Sequence, residues 1–243
     1  MVRMLFFRGV KMKKRILSYF SKGEIALWVC SVCVIIVSFF LFGGNGNLTL
    51  IASLIGVTSL IFLAKGNPFG NVLMIIFSVL YTIISYTFRY YGEMITYMLM
   101  TAPMAAFALV SWLKNPYDKS KKSEVKVRKF SKEILITGLF LTTVVTIVFY
   151  FILKYLGTSN LIPSTISIAT SFFAAYLTFR RTPYFPLAYA LNDIVLIVMW
   201  IMASITDREY ISVIICFVVF LANDLFGFIS WKRMEKRQSI CKL

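Results

Sequence analysis

The chain has 243 residues, 59% of them apolar and only 15% charged, with a mean hydropathy of +0.81. A soluble body of this size cannot hide so much apolar surface behind a charged exterior. A soluble enzyme, a secreted disulfide module and a disordered chain are therefore excluded, and a polytopic membrane protein remains. The net charge is +16 and histidine is absent, which removes histidine bases, metal ligands and proton relays together.

Residues 1–24 form a basic segment that carries Arg3, Arg8, Lys11, Lys13, Lys14, Arg15 and Lys22. Met12 opens a compact Lys-Lys-Arg lead, so residues 1–11 read as an upstream extension and Met1 and Met12 both stay open as starts. Eight apolar runs follow, each near the 20 or so residues that a helix needs to cross a bilayer. They are Ile25–Phe42, Leu48–Ala64, Phe69–Tyr86, Glu93–Leu113, Ile134–Leu156, Leu161–Phe179, Tyr184–Ala203 and Ile211–Trp231. The runs are continuous rather than alternating, so they predict helices and not a barrel. The first run is not a signal peptide, because it is too long, lacks a small-residue cleavage site and is followed at once by another span. Within it Cys30 and Cys33 make a C-x-x-C with no further ligand nearby, and they read as small buried hydrophobes.

The basic residues orient these spans. Of the 26 Lys and Arg, 23 fall on alternate connections: the N-terminal segment, Lys65, the long loop from Lys114 to Lys132, Arg180 and Arg181, and the tail from Lys232 to Lys242. Arg89, Lys154 and Arg208 lie on the other side. The positive-inside rule then expects both termini in the cytoplasm. The charge is topological, with some attraction to anionic lipid, and does not mark a nucleic-acid partner.

Spans two to four resemble spans six to eight. Lys65-Gly-Asn-Pro68 and Arg180-Arg-Thr-Pro183 occupy matching links with their prolines 115 apart, and Ser111-Trp112 matches Ser230-Trp231 at an offset of 119. One span lies between the sets, so the two repeats run parallel, a transporter signature with substrate at the repeat interface. The expected organisation is one transmembrane domain over 25–231, with repeat one at 48–113, a linking helix at 134–156 and repeat two at 161–231. Within that domain the extra first span precedes repeat one, and a basic tail, 232–243, follows the domain.

Two acidic residues lie well inside runs, and each follows an asparagine: Asn192-Asp193 and Asn223-Asp224. A carboxylate at the centre of a span costs about 2.5–3.5 kcal/mol, so such pairs mark a cavity, a partner or a substrate; interhelical bracing is the plainer alternative. In span seven Tyr189, Asp193, Leu196 and Trp200 share one face, and Phe185, Tyr189, Asn192 and Leu196 an overlapping one. Aromatic faces beside an amide and a carboxylate suit a flat, partly polar solute, and a cationic one. Glu93, Tyr97, Met100 and Met104 make a comparable stripe on span four, where Pro103 is expected to kink the helix. No P-loop, G-x-S-x-G or metal-ligand cluster is present, so neither an enzyme nor a resident cofactor or metal is expected.

Several ordered stretches carry a resemblance: Gly66-Asn-Pro-Phe-Gly70, Ser78-Val-Leu-Tyr81, Tyr91-Gly-Glu-Met94, Trp112-Leu-Lys-Asn-Pro116, Asn192-Asp-Ile-Val195 with Trp200, and Asn223-Asp-Leu-Phe-Gly227 ending in Trp231. Over roughly residues 65–235 the chain resembles the PnuC-type nicotinamide riboside transporters of bacteria. The resemblance implies a SWEET-like fold of two three-helix bundles and a linking helix. It implies facilitated diffusion across the cell membrane, with the substrate trapped inside by a cytoplasmic riboside kinase. It carries site roles to Asn192, Trp200, Asn223 and Trp231, and more loosely to Asp193 and Asp224. The stretch Tyr184-Phe-Pro-Leu-Ala-Tyr189 has fewer tryptophans than the family's binding helix, and Met104-Ala105 stands where the family often has glutamine. Thiamine and riboflavin thus stay open as substrates, as do a substrate-binding subunit of a larger transporter and self-association of the chain. Reporter fusions at Lys121 and at the C-terminus are expected to read cytoplasmic, and one near Ser159 external; an external reading at Lys121 overturns the span assignment.

Overall fold

A computed structural model describes residues 19–42, 46–87, 91–118, 123–158, 160–205 and 210–240. The candidate start Met12, the fusion points Lys121 and Ser159, the outlying Arg89 and Arg208, and Cys241 lie outside the described residues.

Among the described residues eight helices are long and apolar enough to cross a membrane, and the protein is an all-α, multi-pass membrane protein. They are α1 (Lys22–Phe42), α2 (Asn47–Ala64), α3 (Phe69–Thr87), α4, α5 (Lys132–Tyr155), α6 (Leu161–Phe179), α7 (Phe185–Ser204) and α8 (Ile211–Ile240). Helix α4 is composite: Tyr91–Thr96, a π-helical turn at Tyr97–Thr101, then Ala102–Lys114. Most bounds fall within a few residues of the apolar runs. The exception is α8, which goes on nine residues beyond Trp231 into the basic segment read as a tail. Hydropathy reports where lipid ends, whereas Lys, Arg, Met, Glu and Gln are good helix formers that carry a helix past it. The extension is anchored: Gln238 accepts from Val127 N at 2.8 Å and donates to Glu124 Oε1 at 2.7 Å and Val125 O at 3.0 Å, and Arg237 pairs with Glu124.

Within the first set of three helices α2 packs on α3 and α3 on α4; within the second α6 packs on α7 and α7 on α8. The sets then cross, α8 against α2 and α4 against α6, with α5 beside α6 and α1 laid against α2 and α8. At the basic end the crossing is made by reciprocal hydrogen bonds. Trp112 Nε1 donates to Thr178 O and Ser111 Oγ to Phe179 O, each at 2.8 Å. Trp231 Nε1 donates to Leu63 O and Ser230 Oγ to Ala64 O, also at 2.8 Å. Donors are 119 apart and acceptors 115 apart, the two offsets legible in the sequence. The last carbonyls of a helix lack the usual partner four residues on. Leu63 O and Thr178 O take the backbone N–H groups of Gly66 and Arg181, and each set adds indole and hydroxyl donors to the helix-end carbonyls of the other. Both indoles are fully buried, with ring centroids 5.3 Å apart.

Helix α1 is tied on by Glu24, which receives Lys65 Nζ at 2.9 and 3.1 Å, and by Ser31, whose hydroxyl accepts from Asn223. Cys30 and Cys33 are not buried: both lie on the exposed face of α1, where an apolar thiol meets lipid. The packing of a helix on two neighbours needs only one stripe of α1, filled by Ser31, Ile35 and Ser38, and the cysteines fall outside it.

The reciprocal bonds predict matched losses. Trp112→Phe and Trp231→Phe should each destabilise the purified protein by about 1 kcal/mol, the net worth of one buried hydrogen bond, since Thr178 O and Leu63 O keep their backbone donors. Trp28→Phe should cost less, since its 3.1 Å bond to Thr58 is exposed. Thermal unfolding followed by fluorescence checks this, and clearly unequal effects of the two buried tryptophans would contradict equivalent roles.

Candidate functional site

A cavity lies between the two sets of helices. Helix α7 supplies Tyr189, Asn192, Asp193, Leu196 and Trp200; α4 supplies Glu93, Tyr97 and Met100; α8 supplies Asp224 with Phe217 and Phe220. Helix α3 adds Phe77 and Tyr81, and α6 adds Ser164, Ser167 and Ser171. The lining reaches Gly92, Thr158 and Trp200 at the end away from the basic loops. Toward the basic end it stops at Leu60, Ala175, Tyr189 and Asp224. Below that level Trp112, Trp231 and Phe185 pack together, with Phe185 4.8 Å from Trp231 and 6.1 Å from Trp112 between ring centroids. The cavity is thus closed by an aromatic plug on the basic side.

Of the nine residues singled out in the sequence, seven line this cavity: Asn192, Trp200, Tyr189, Asp193, Asp224, Glu93 and Tyr97. Phe185 and Asn223 do not. Phe185 lies one helical turn too close to the basic end and is part of the plug. Asn223 is turned about 100° from Asp224 around α8 and reaches the other way: its Nδ2 donates to Ser31 Oγ at 2.9 Å and to Val219 O at 2.8 Å. It braces α1 against α8. Trp231 likewise serves the helix cap.

The stripe on α4 is broken by the π turn. Pro103 has no N–H and its ring crowds the carbonyl four residues back, and the backbone answers with an extra residue in the turn: Ala102 N–H donates five back, to Tyr97 O. One added residue rotates everything beyond it by about 100°. Glu93, Tyr97 and Met100 therefore face the cavity while Met104 packs into the core. π turns of this kind gather at functional sites.

Two aromatic surfaces border the space. Tyr81 and Tyr97 lie 4.6 Å apart between centroids at 41°. Trp200 lies on the other helix set, 5.2 Å from Tyr210. Asn192 is held between them by α6: its Oδ1 accepts from Thr170 Oγ1 and Ser171 Oγ, each at 2.8 Å. With the oxygen engaged, the NH₂ is the half of the amide left to donate. Asp193 and Asp224 are 4% and 6% exposed, and their carboxyls lie within hydrogen-bonding reach of one another. Asp193 Oδ2 has no hydrogen-bond donor among the described residues. With Glu93 the lining holds three acids and, among the described residues, no lysine or arginine, in a chain whose net charge is +16. The serines of α6 were missed in the sequence; their spacing at 164, 167 and 171 is a helical face and was the available signal.

A family model described as nicotinamide mononucleotide transporter matches residues 46–233. A nicotinamide riboside transporter PnuC from Neisseria mucosa is 26% identical over 217 residues, spanning 88% of this chain and 82% of that protein. The crystal structure of a vitamin B3 transporter PnuC superposes with a TM-score of 0.77 at 22% identity, covering 90% of this chain and 94% of that one.

The α6 hydroxyls set a stability test of the site. Thr170→Val with Ser171→Ala strands a buried amide oxygen and should cost about 1–3 kcal/mol. Adding Asn192→Leu removes the stranded group and should recover part of the loss in thermal unfolding; no recovery would mean the hydroxyls act elsewhere.

Proposed function

The chain belongs to the nicotinamide mononucleotide transporter family, and from that premise we propose that it takes up nicotinamide riboside by facilitated diffusion across a bacterial cell membrane. The basic end faces the cytoplasm by the positive-inside rule, which puts both termini inside and the mouth near Trp200 outside. A cytoplasmic riboside kinase then traps the substrate as its phosphate.

The observation that carries this reading is the charge of the cavity. Nicotinamide riboside has a cationic pyridinium, a carboxamide and a ribose with hydroxyls. The Trp200 and Tyr81–Tyr97 faces offer stacking and cation–π attraction, worth about 2 kcal/mol when desolvated. The oriented amide of Asn192 donates to the substrate's carboxamide oxygen, and the serines of α6 meet hydroxyls. Asp193 and Asp224 supply the counter-charge. The mononucleotide differs by a phosphate, and a dianion in a dry site needs basic partners. The lining has none among the described residues, which favours the riboside over the nucleotide.

Uptake proceeds by exchanging closure between the two ends. With the basic side sealed by Phe185, Trp112 and Trp231, substrate enters from outside and is dehydrated between the two helix sets. Release requires the reciprocal indole caps to part. Nothing in this cycle uses an ion gradient.

Uptake of labelled nicotinamide riboside into proteoliposomes, competed with the mononucleotide, thiamine and riboflavin, tests the proposal. Uptake is expected to equilibrate without an ion gradient, with competition by unlabelled riboside and little by the mononucleotide. Asn192→Ala and Trp200→Ala should each weaken binding about tenfold or more, which is about 1.4 kcal/mol. Asp193→Asn should reduce affinity for the pyridinium more than for the neutral dihydropyridine riboside. Binding like the parent by Asn192→Ala and Trp200→Ala at equal expression sinks the site, and accumulation driven by a proton or sodium gradient sinks the passive mechanism.

A further inference from the structure

The two matching links at the basic end differ in one respect that the repeat makes visible. Lys65 and Gly66 close α2; Arg180 and Arg181 stand 115 residues later and close α6. Both second residues have left-handed backbone, φ 67° at Gly66 and 59° at Arg181. The segment after Glu124 binds both turns, with Val125 N–H donating to Gly66 O at 2.9 Å and Arg128 N–H to Arg181 O at 3.0 Å. In the first link the cation is neutralised: Glu24 of α1 takes Lys65. The helix that precedes the second set, α5, packs on α6 and carries Glu133 in its first turn, but no carboxylate pairs with Arg128, Arg180 or Arg181 among the described residues.

The three arginines do not cap the helix either. Thr178 O and Phe179 O receive Trp112 and Ser111, and Tyr176 O and Leu177 O receive the backbone N–H groups of Arg180 and Thr182. The Nε atoms of Arg180 and Arg181 are buried and have no acceptor. Burial and the proximity of Arg128 and Arg180 lower the pKa of Arg181 from its ordinary value, the mark of like charges held together. Left-handed backbone is strained for arginine, where the other link uses glycine, so the side chain is held at a cost.

We propose that Arg128, Arg180 and Arg181 bind the phosphate of an anionic phospholipid headgroup, which takes the place in the second repeat that Glu24 takes in the first. Guanidinium forks match phosphate bidentately. The site begins directly after α6, where Phe179 is exposed at the end of the span, so the phosphate sits at headgroup depth and an acyl chain lies along α6. Soluble phosphate shares the chemistry but not that apolar surface.

Full-length protein in a neutral detergent, titrated with phosphatidylglycerol, phosphatidylcholine or inorganic phosphate and followed by thermal unfolding and native mass spectrometry, tests this. Phosphatidylglycerol should stabilise and remain bound, and Arg180→Gln with Arg181→Gln should weaken it about tenfold or more, the loss of one or two charge-assisted bonds. Lys129→Gln with Lys236→Gln removes two charges elsewhere and should leave the affinity unchanged. If the glutamine pair does not fold, Arg180→Lys with Arg181→Lys keeps the charge without the fork and should still bind several-fold more weakly. The proposal is overturned by unchanged lipid affinity in either arginine pair, by an equal loss in the lysine control, or by inorganic phosphate protecting as well as the lipid does.

Discussion

In lipid every backbone polar group must find a protein partner, and the carbonyls at a helix end are the hardest to provide for. Here each three-helix set provides for the other. Trp112 caps α6 and Trp231 caps α2, with Ser111 and Ser230 completing the pairs. Those four bonds fix where the two sets touch, bring the indoles into contact and leave Phe185 wedged between them. The cavity exists because the sets are pinned at this end and not packed tightly above it. A large aromatic side chain with one donor is well suited to the position, since it seals against water and satisfies an acceptor together.

Much of this architecture was legible in the sequence because the bilayer imposes a simple reading. The apolar runs located all eight helices, and the offsets of 115 and 119 located the donors and acceptors of the crossing without showing that they bond. The site was legible where chemistry is costly: Asp193 and Asp224 drew attention because lipid penalises carboxylates. It was less legible where the signal is local geometry. Periodicity alone treats α4 as a regular helix, so Met104 joined Met100 on paper, whereas Pro103 opens a π turn that rotates it away. Asn223 looked like Asn192 by its neighbour, yet one residue around a helix is enough to send it to Ser31. Phe185 shared a face with Tyr189 but not a depth, and depth along a span is set by where the neighbouring helices end.

The same distinction explains the serines of α6. A hydroxyl in a membrane helix usually bonds its own turn, as Thr165 and Thr178 do, so serine and threonine carry little sequence signal. Ser171 instead turns to the Asn192 oxygen and fixes which half of that amide remains available. The cavity-lining amide is thus set in two steps, with α7 presenting it and α6 deciding its orientation.

Charge is divided by depth, and the division is mechanical as well as topological. Lys65, Arg180 and Arg181 sit where the helices end, while the Asp193–Asp224 carboxyl pair sits at mid-depth. In the proposed cycle a cation entering from outside descends toward negative groups, and the clustered positive charge of Lys65, Arg180 and Arg181 lies beyond the aromatic plug. Under the proposed function it is held at mid-depth by the carboxyls, and the basic end resists its passage until the plug parts and water enters. Because water raises the local dielectric, opening weakens the hold of Asp193 and Asp224 and the repulsion of the basic end in the same event. The proposed passive carrier needs a site that binds without retaining, and under that proposal an acidic pocket above a basic rim would supply it when the closure alternates between the two ends.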